Sequence, residues 1–248
     1  MKINTNSNVY IIIYSVVMVV IVAVLLAVAS LGLKERQDAN VLDDTKKQIV
    51  KALGYDAEKT TYKEVVAEAV ILNSEGVVTD SDEQNVFAAL QNVKATRNAK
   101  KFPLLKAVDG SVVVPLFGKG LWDNIWGYIA LEPDMNTVKG IVLSHKGETP
   151  GLGAEIATDN HQKKYKGKKI FEGENYVGIT LKKGGATKDA NGEENPHEVD
   201  AITGGTKTSD GVTSMIKSCL QSYEPYFKAS KATTNEVSNE LNTENNGK

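Results

Sequence analysis

From Ile3 to Leu33 the chain carries no Asp, Glu, Lys or Arg, and Val9 to Leu33 is almost wholly Ile, Val, Leu and Ala. At about 1.5 Å of rise per helical residue, roughly 20 such residues cross the apolar core of a bilayer, so the run predicts a membrane-spanning helix. Ala27-Val28-Ala29 has the small-x-small look of a signal cleavage site. Signal cores are shorter, however, at about 7–15 residues, and they follow a stronger basic lead than Lys2 provides. The expectation is a retained anchor over residues 9–33, preceded by a short segment of residues 1–8.

The pattern then changes. Val41 to Leu53 reads as a helix with Asp43 or Asp44 near its start and Gly54 just past its end. Tyr62 to Leu72 reads as a second, because Val65, Val66, Ala69 and Val70 fall on one helical face. Residues 34–100 are therefore expected to form a helical lead-in. Between Phe102 and Ile179, short β-rich runs alternate with glycines and turns: Ser111–Leu116, Trp126–Leu131, Thr137–Ser144 and Tyr176–Leu181. Lys182 to Val199 reads as a polar surface loop. Val212, Met215, Ile216, Cys219, Leu220 and Tyr223 recur at helical spacing, and Pro225 closes that amphipathic helix. Ala229 to Lys248 has almost no large apolar residue and is expected to be disordered. The fold class is α+β: one N-terminal transmembrane helix, then an antiparallel-sheet domain with packed helices over residues 101–228.

Composition removes several functions. Among 248 residues, 29 Lys and Arg balance 31 Asp and Glu, and no basic run interleaves with aromatics, so nucleic acid is not an expected partner. Cys219 is the sole cysteine, which excludes an internal disulfide and any metal or iron–sulfur centre built on this chain's thiolates. It falls on the apolar face of its helix, where a thiol is inert. His145, His161 and His197 show no metal-ligand spacing. Redox chemistry would have to come from an organic cofactor.

Three stretches could serve one. Asp200-Ala201-Ile202-Thr203-Gly204-Gly205-Thr206-Lys207-Thr208-Ser209 precedes the amphipathic helix, where glycines admit a close ligand and free N–H groups favour phosphate. A Gly-rich turn with an ordinary Ser/Thr helix cap accounts for the same residues. His145-Lys146-Gly147-Glu148-Thr149-Pro150-Gly151-Leu152-Gly153 follows a strand and carries a tight Pro-Gly turn, which could equally be structural. Gly118-Lys119-Gly120-Leu121-Trp122, with Trp126-Gly127-Tyr128 behind it, sets tryptophans beside glycines where a flat ring could stack, unless both are core residues.

Together these stretches resemble the FMN-binding domain shared by the NqrC subunits of the Na+-translocating NADH:quinone oxidoreductase and the RnfG subunits of the related Rnf electron-transport complex. In that family FMN is esterified to the last threonine of Asp-x-x-Ser/Thr-Gly-Ala-Thr-x-Ser/Thr that precedes the variable position. Asp200, Thr203, Gly204, Thr206 and Thr208 fit, so the resemblance implies a covalent phosphoester at Thr206; Gly205 departs from the usual alanine. Gly184-Gly185-Ala186-Thr187 imitates the core of the motif, but Leu181, not an aspartate, lies six residues before Thr187. The region 41–100 and the stretch Ala130 to Ile141 look more like the Na+-pump protein than its Rnf counterpart.

The resemblance further implies that Trp122, Glu148, Thr149, Gly151, Leu152, Lys183, Thr203 and Gly204 surround the cofactor. Glu148 and Thr149 would orient polar atoms of the ring or ribityl chain, Leu152 would cover a face, and Lys183 would offset negative charge. No catalytic acid or base is implied, since the chain would relay electrons from NADH toward ubiquinone within an inner-membrane complex of six subunits that exports Na+. Its domain would lie outside the cytoplasm, where an FAD-dependent flavin transferase loads it. Lys34, Arg36, Lys46, Lys47 and Lys51 after the helix run against that orientation under the positive-inside rule. A membrane-anchored binding domain and a free-standing extracytoplasmic flavoprotein reductase are the competing readings.

Overall fold

A computed structural model describes residues 7–231. The described residues divide into two units, with the boundary between Thr45 and Lys46. Helix α1 runs unbroken over Asn8–Ala52. Its apolar stretch is exposed along its length, and the helix is long and apolar enough to cross a membrane. The separate helix expected from Val41 is a continuation of this one, because nothing between Leu33 and Val41 breaks a helix. Its end is where the glycine places it. Gly54 adopts φ +88°, and the N–H groups of Gly54 and Tyr55 donate to the carbonyls of Lys51 and Val50 at 3.0 and 3.2 Å, closing a Schellman turn.

The expected helix over Tyr62–Leu72 is corrected. Only α2 (Tyr62–Val65) is helical, and the chain then enters β1 (Val66–Leu72). Val65, Val66, Val70 and Ile71 are β-branched, and register shifts at Val66/Glu68 and Ile71/Leu72 break the period-two alternation that would have marked a strand. β2 (Val78–Asp80), α3 (Glu83–Gln91) and α4 (Val93–Asn98) follow. The stretch read as a helical lead-in therefore contributes two strands.

β3 (Phe102–Ala107) lies outside the four expected runs, whereas β4 (Val112–Lys119), β5 (Asn124–Leu131) and β6 (Val138–His145) fall within three residues of theirs. One six-stranded antiparallel sheet results, in the order β2-β1-β3-β4-β5-β6. A 3-10 turn at Gly153–Ala157 leads to α5 (Asp159–Gln162). β7 (Phe171–Glu172) and β8 (Asn175–Tyr176) form a small hairpin, and β9 (Thr180–Lys182) pairs in parallel with β10 (Glu198–Asp200). The strand expected over Tyr176–Leu181 is thus split between β8 and β9, because Gly178 turns the chain at φ +65°. α6 (Thr206–Gln221) is the helix the periodicity predicts. Pro225 lies in the first turn of a second helical segment at 224–231, a position that needs no N–H. Ala229 to Lys231 are thus helical, and the remainder of the expected disordered tail lies outside the described residues.

α6 buries Val212, Met215, Ile216, Cys219 and Leu220 against Leu116, Ile125, Ile129 and Leu143 of the sheet. β4 pairs with β3 only at Val112 and Val113. Beyond Pro115, which has no N–H, the Cys219 thiol takes over at the strand: Phe117 N–H donates to Sγ at 3.4 Å and the thiol donates to Phe117 O at 3.5 Å. Arg97 Nη1 donates to Sγ at 3.1 Å. Burial pushes the thiol pKa up, as expected for an inert cysteine.

Candidate functional site

Thr206 is the first residue of α6 and is exposed. Gly205 occupies the N-cap position and makes no side-chain cap hydrogen bond, so the first turn offers N–H groups to an incoming acceptor. Thr203 and Gly204 form the exposed turn ahead of it, with Gly204 at φ +75°. The other hydroxyls of the stretch face inward. Ser209 Oγ accepts from Ile202 N at 3.0 Å, and Thr208 Oγ1 donates to Glu148 Oε2 at 2.5 Å.

Three stretches far apart in sequence converge at this helix start. Glu148 Oε1 accepts from the backbone N–H of Trp122 at 3.0 Å, which joins the β4–β5 turn to the loop after β6. Gly153 N lies 3.3 Å from where a Cβ on Gly205 would sit, and Leu152 Cδ2 lies 2.7 Å from a Cβ placed on Gly204. The expectation for Glu148 needs correction. It is only 4 % exposed, and both oxygens are held by protein donors rather than turned outward to a ring or ribityl chain. Burial raises its pKa, but donation from Thr208 and from the N–H groups of Trp122, Asp123 and Leu121 outweighs it and holds the carboxyl below its ordinary value.

The remaining candidates are exposed. Trp122 is 69 % and Leu152 42 % accessible, so Trp122 is no core residue, and Trp126 is only partly buried. Thr149 stands in the same loop, its carbonyl accepting from Leu152 N and Ala154 N, each at 3.1 Å; Gly151 turns the loop at φ +73°. Lys183 is exposed in the turn after β9, whose last residue pairs with Asp200. Asp200 accepts from Lys164 Nζ at 2.8 Å and from Ala186 N at 2.9 Å, and the Lys164 ammonium first, then that N–H, lowers its pKa. The aspartate therefore ties down the loop that imitates the motif. In that loop the Thr187 hydroxyl is engaged, donating to Glu198 Oε2 at 2.7 Å.

Two features of this region were not visible in the sequence. A Cβ at Gly205 would meet Ile202 Cγ2 at 2.9 Å and Ile202 Cβ at 3.0 Å, which explains why glycine stands there in this chain. Gly205→Ala is expected to cost about 1–2 kcal/mol, and less when Ile202→Ala has removed the facing Cγ2; urea unfolding of the double-mutant cycle checks this, and additive losses would refute it. His161, near Lys164, is 4 % exposed and shares a 3.1 Å hydrogen bond with Tyr165 Oη. Burial, then the Lys164 charge, lowers its pKa to about 4 against the opposing pull of Asp200. Between that value and about 6.5 the unfolded chain binds a proton that the folded one excludes, so stability is whole above pH 6.5 and falls by roughly 3 kcal/mol toward pH 4. Thermal midpoints across that window should decline, and His161→Gln should flatten the decline.

Comparison with known proteins places these stretches inside one family match. The FMN-binding domain family matches residues 120–221, which hold the Trp122, Glu148–Gly153 and Asp200–Ser209 stretches. The NqrC subunit of the Na(+)-translocating NADH-quinone reductase of Haemophilus ducreyi is 31% identical over 236 residues, covering 85% of this chain and 90% of its own. That of Neisseria meningitidis serogroup B is 31% identical over 216 residues, covering 77% and 81%. Among solved structures, the corresponding reductase subunit from Parabacteroides distasonis superposes with a TM-score of 0.69 at 35% identity, over 79% of this chain and 96% of that one. Shewanella oneidensis NqrC gives 0.62 at 29%, over 77% and 99%.

Proposed function

Because this chain belongs to the NqrC family of Na(+)-translocating NADH-quinone reductase subunits, we propose that it is the covalent-FMN electron carrier of such a complex, with the phosphoester at Thr206. The observation that carries this reading is the state of the helix start: an exposed threonine at its first position, behind an N-cap glycine that has no side chain to cap the N–H groups beside it. Those N–H groups and the positive end of the helix dipole suit a phosphate diester. Thr187, by contrast, has its hydroxyl committed to Glu198.

The residues present fit the cofactor. Thr206 would hold it, Thr203 and Gly204 would border the phosphate, Leu152 and Trp122 offer exposed apolar surface for a flat ring, and Thr149, Gly151 and Lys183 would complete the rim. In attachment the Thr206 hydroxyl would attack the FMN-side phosphorus of FAD, with AMP leaving on the broken pyrophosphate oxygen and the hydroxyl proton lost to solvent. FMN, once bound, supplies reversible electron transfer, and the chain supplies position and electrostatics. The ester leaves the isoalloxazine ring free while preventing loss of the cofactor in any redox state. The wider assignment follows the same reading: an inner-membrane location with the domain extracytoplasmic, five partner chains in a complex of six subunits, a flavin transferase for maturation, and electron flow from NADH toward ubiquinone coupled to Na+ export.

Trypsin separates the two threonines, since Thr187 falls in the peptide of residues 184–188 and Thr206 in that of residues 189–207. After coexpression with a flavin transferase, mass spectrometry should find FMN on the second peptide alone. An unmodified second peptide, or flavin on the first, would overturn the assignment.

A further inference from the structure

We infer that Glu148 and Thr208 form a buried latch that sets the geometry of the flavin-accepting helix start, which makes both positioning residues for attachment rather than cofactor contacts. The inference rests on the reading of Thr206 as the acceptor. Thr208 lies two residues after it, further along the first turn of α6, and is 1% exposed. Its hydroxyl donates to Glu148 at 2.5 Å, and the other oxygen of Glu148 accepts from Trp122 N at 3.0 Å. One carboxylate thereby joins three segments: the helix that carries Thr206, the loop that carries Thr149 and Leu152, and the turn that carries Trp122.

The surroundings are shaped to hold that group. A Cβ on Gly120 would fall 2.9 Å from Glu148 Cδ, and one on Gly153 would fall 2.5 Å from Oε2 and 3.1 Å from Thr208 Cβ. Glycines thus line both sides of the carboxylate. The geometry also gives the last hydroxyl of the motif a task. Thr208 is buried where Thr206 is exposed, and the contact its hydroxyl makes is with Glu148. An ionised carboxylate accepting a hydroxyl and a backbone N–H holds its partners more firmly than neutral pairs do. Loss of the latch frees the first turn to sample other positions, and a hydroxyl that must meet a phosphorus in line with its leaving group loses rate when its position is not fixed.

The test follows flavin transfer from FAD by a purified flavin transferase onto the full chain in detergent, reading covalent fluorescence against time. Thr208→Val is expected to slow the initial rate roughly tenfold, the scale of one lost charge-assisted hydrogen bond, while Thr208→Ser, which keeps the hydroxyl, transfers as wild type. Valine keeps the volume and loses the hydroxyl, and serine keeps the hydroxyl and loses the methyl, so a rate that follows the hydroxyl separates positioning from packing. Where Thr208→Val does not accumulate as folded protein, Glu148→Gln carries the test, since it keeps the size of the side chain and an acceptor for Trp122 N–H: slow transfer supports the latch and a wild-type rate overturns it. Failure of the underlying reading looks different. Wild-type protein without flavin on Thr206 sinks the acceptor assignment, whereas wild type and Thr208→Val loading Thr206 at equal rates sinks only the latch.

Discussion

Replacing Thr206 with valine is expected to remove covalent flavin fluorescence completely from the denatured protein on a gel, while Thr187→Val leaves it at the wild-type level. Valine matches threonine in shape and lacks only the nucleophilic oxygen, so the change tests chemistry rather than folding. Thr206 is exposed at the helix start, so the substitution should leave stability within about 0.5 kcal/mol of wild type, as a thermal melt would show. Thr187 is the matched control: it follows Gly184-Gly185-Ala186, yet its oxygen is bound to Glu198. Residual fluorescence in Thr206→Val, or loss in Thr187→Val, would move the acceptor elsewhere.

The second large effect concerns Gly211, in the interior of α6. At an exposed helix position, Gly→Ala stabilises by about 0.5–1 kcal/mol. Here the sign should reverse. A Cβ at Gly211 would run into the carbonyl oxygen of Lys119 and come within 3.3 Å of Gly120 Cα, backbone atoms that cannot rotate aside. Gly211→Ala should cost about 2–3 kcal/mol, or roughly 5–10 °C in the midpoint of a domain this size, by wedging α6 off the β4–β5 turn. Because that turn leads to Trp122, and α6 begins with Thr206, flavin loading should fall as well. A midpoint at or above wild type would show that the helix is free to shift at this contact.

These two positions mark how far the sequence could be read. α1 and α6 are visible in it because a long apolar run and a strict helical period each have one structural meaning. The proposal of Thr206 as acceptor comes from the spacing to Asp200 and a family resemblance, since a Gly-rich helix start alone is as consistent with a plain cap. β1 is hidden because two bulges erase its alternation, and with β1 goes the fact that residues before 100 complete the sheet. Glu148 is buried among protein donors instead of facing outward as expected. A glutamate in a Gly/Pro-rich turn reads as exposed, and only the positions of Gly120, Gly153 and Thr208 in space show that it is buried. Gly211 is a signal the sequence does carry: a glycine inside an otherwise well-formed helix is costly unless another backbone approaches there.

Cys219 supplies a clock for the helix that begins at Thr206. It is the sole thiol, fully buried, and bonded to both backbone groups of Phe117. A thiol reagent can reach it only when α6 lifts from β4, so the alkylation rate, compared with that of a free thiol, measures the opening equilibrium of this helix without any engineered label. Attaching flavin at one end of α6 and reading labelling at the other would show whether the cofactor tightens the element proposed to bear it.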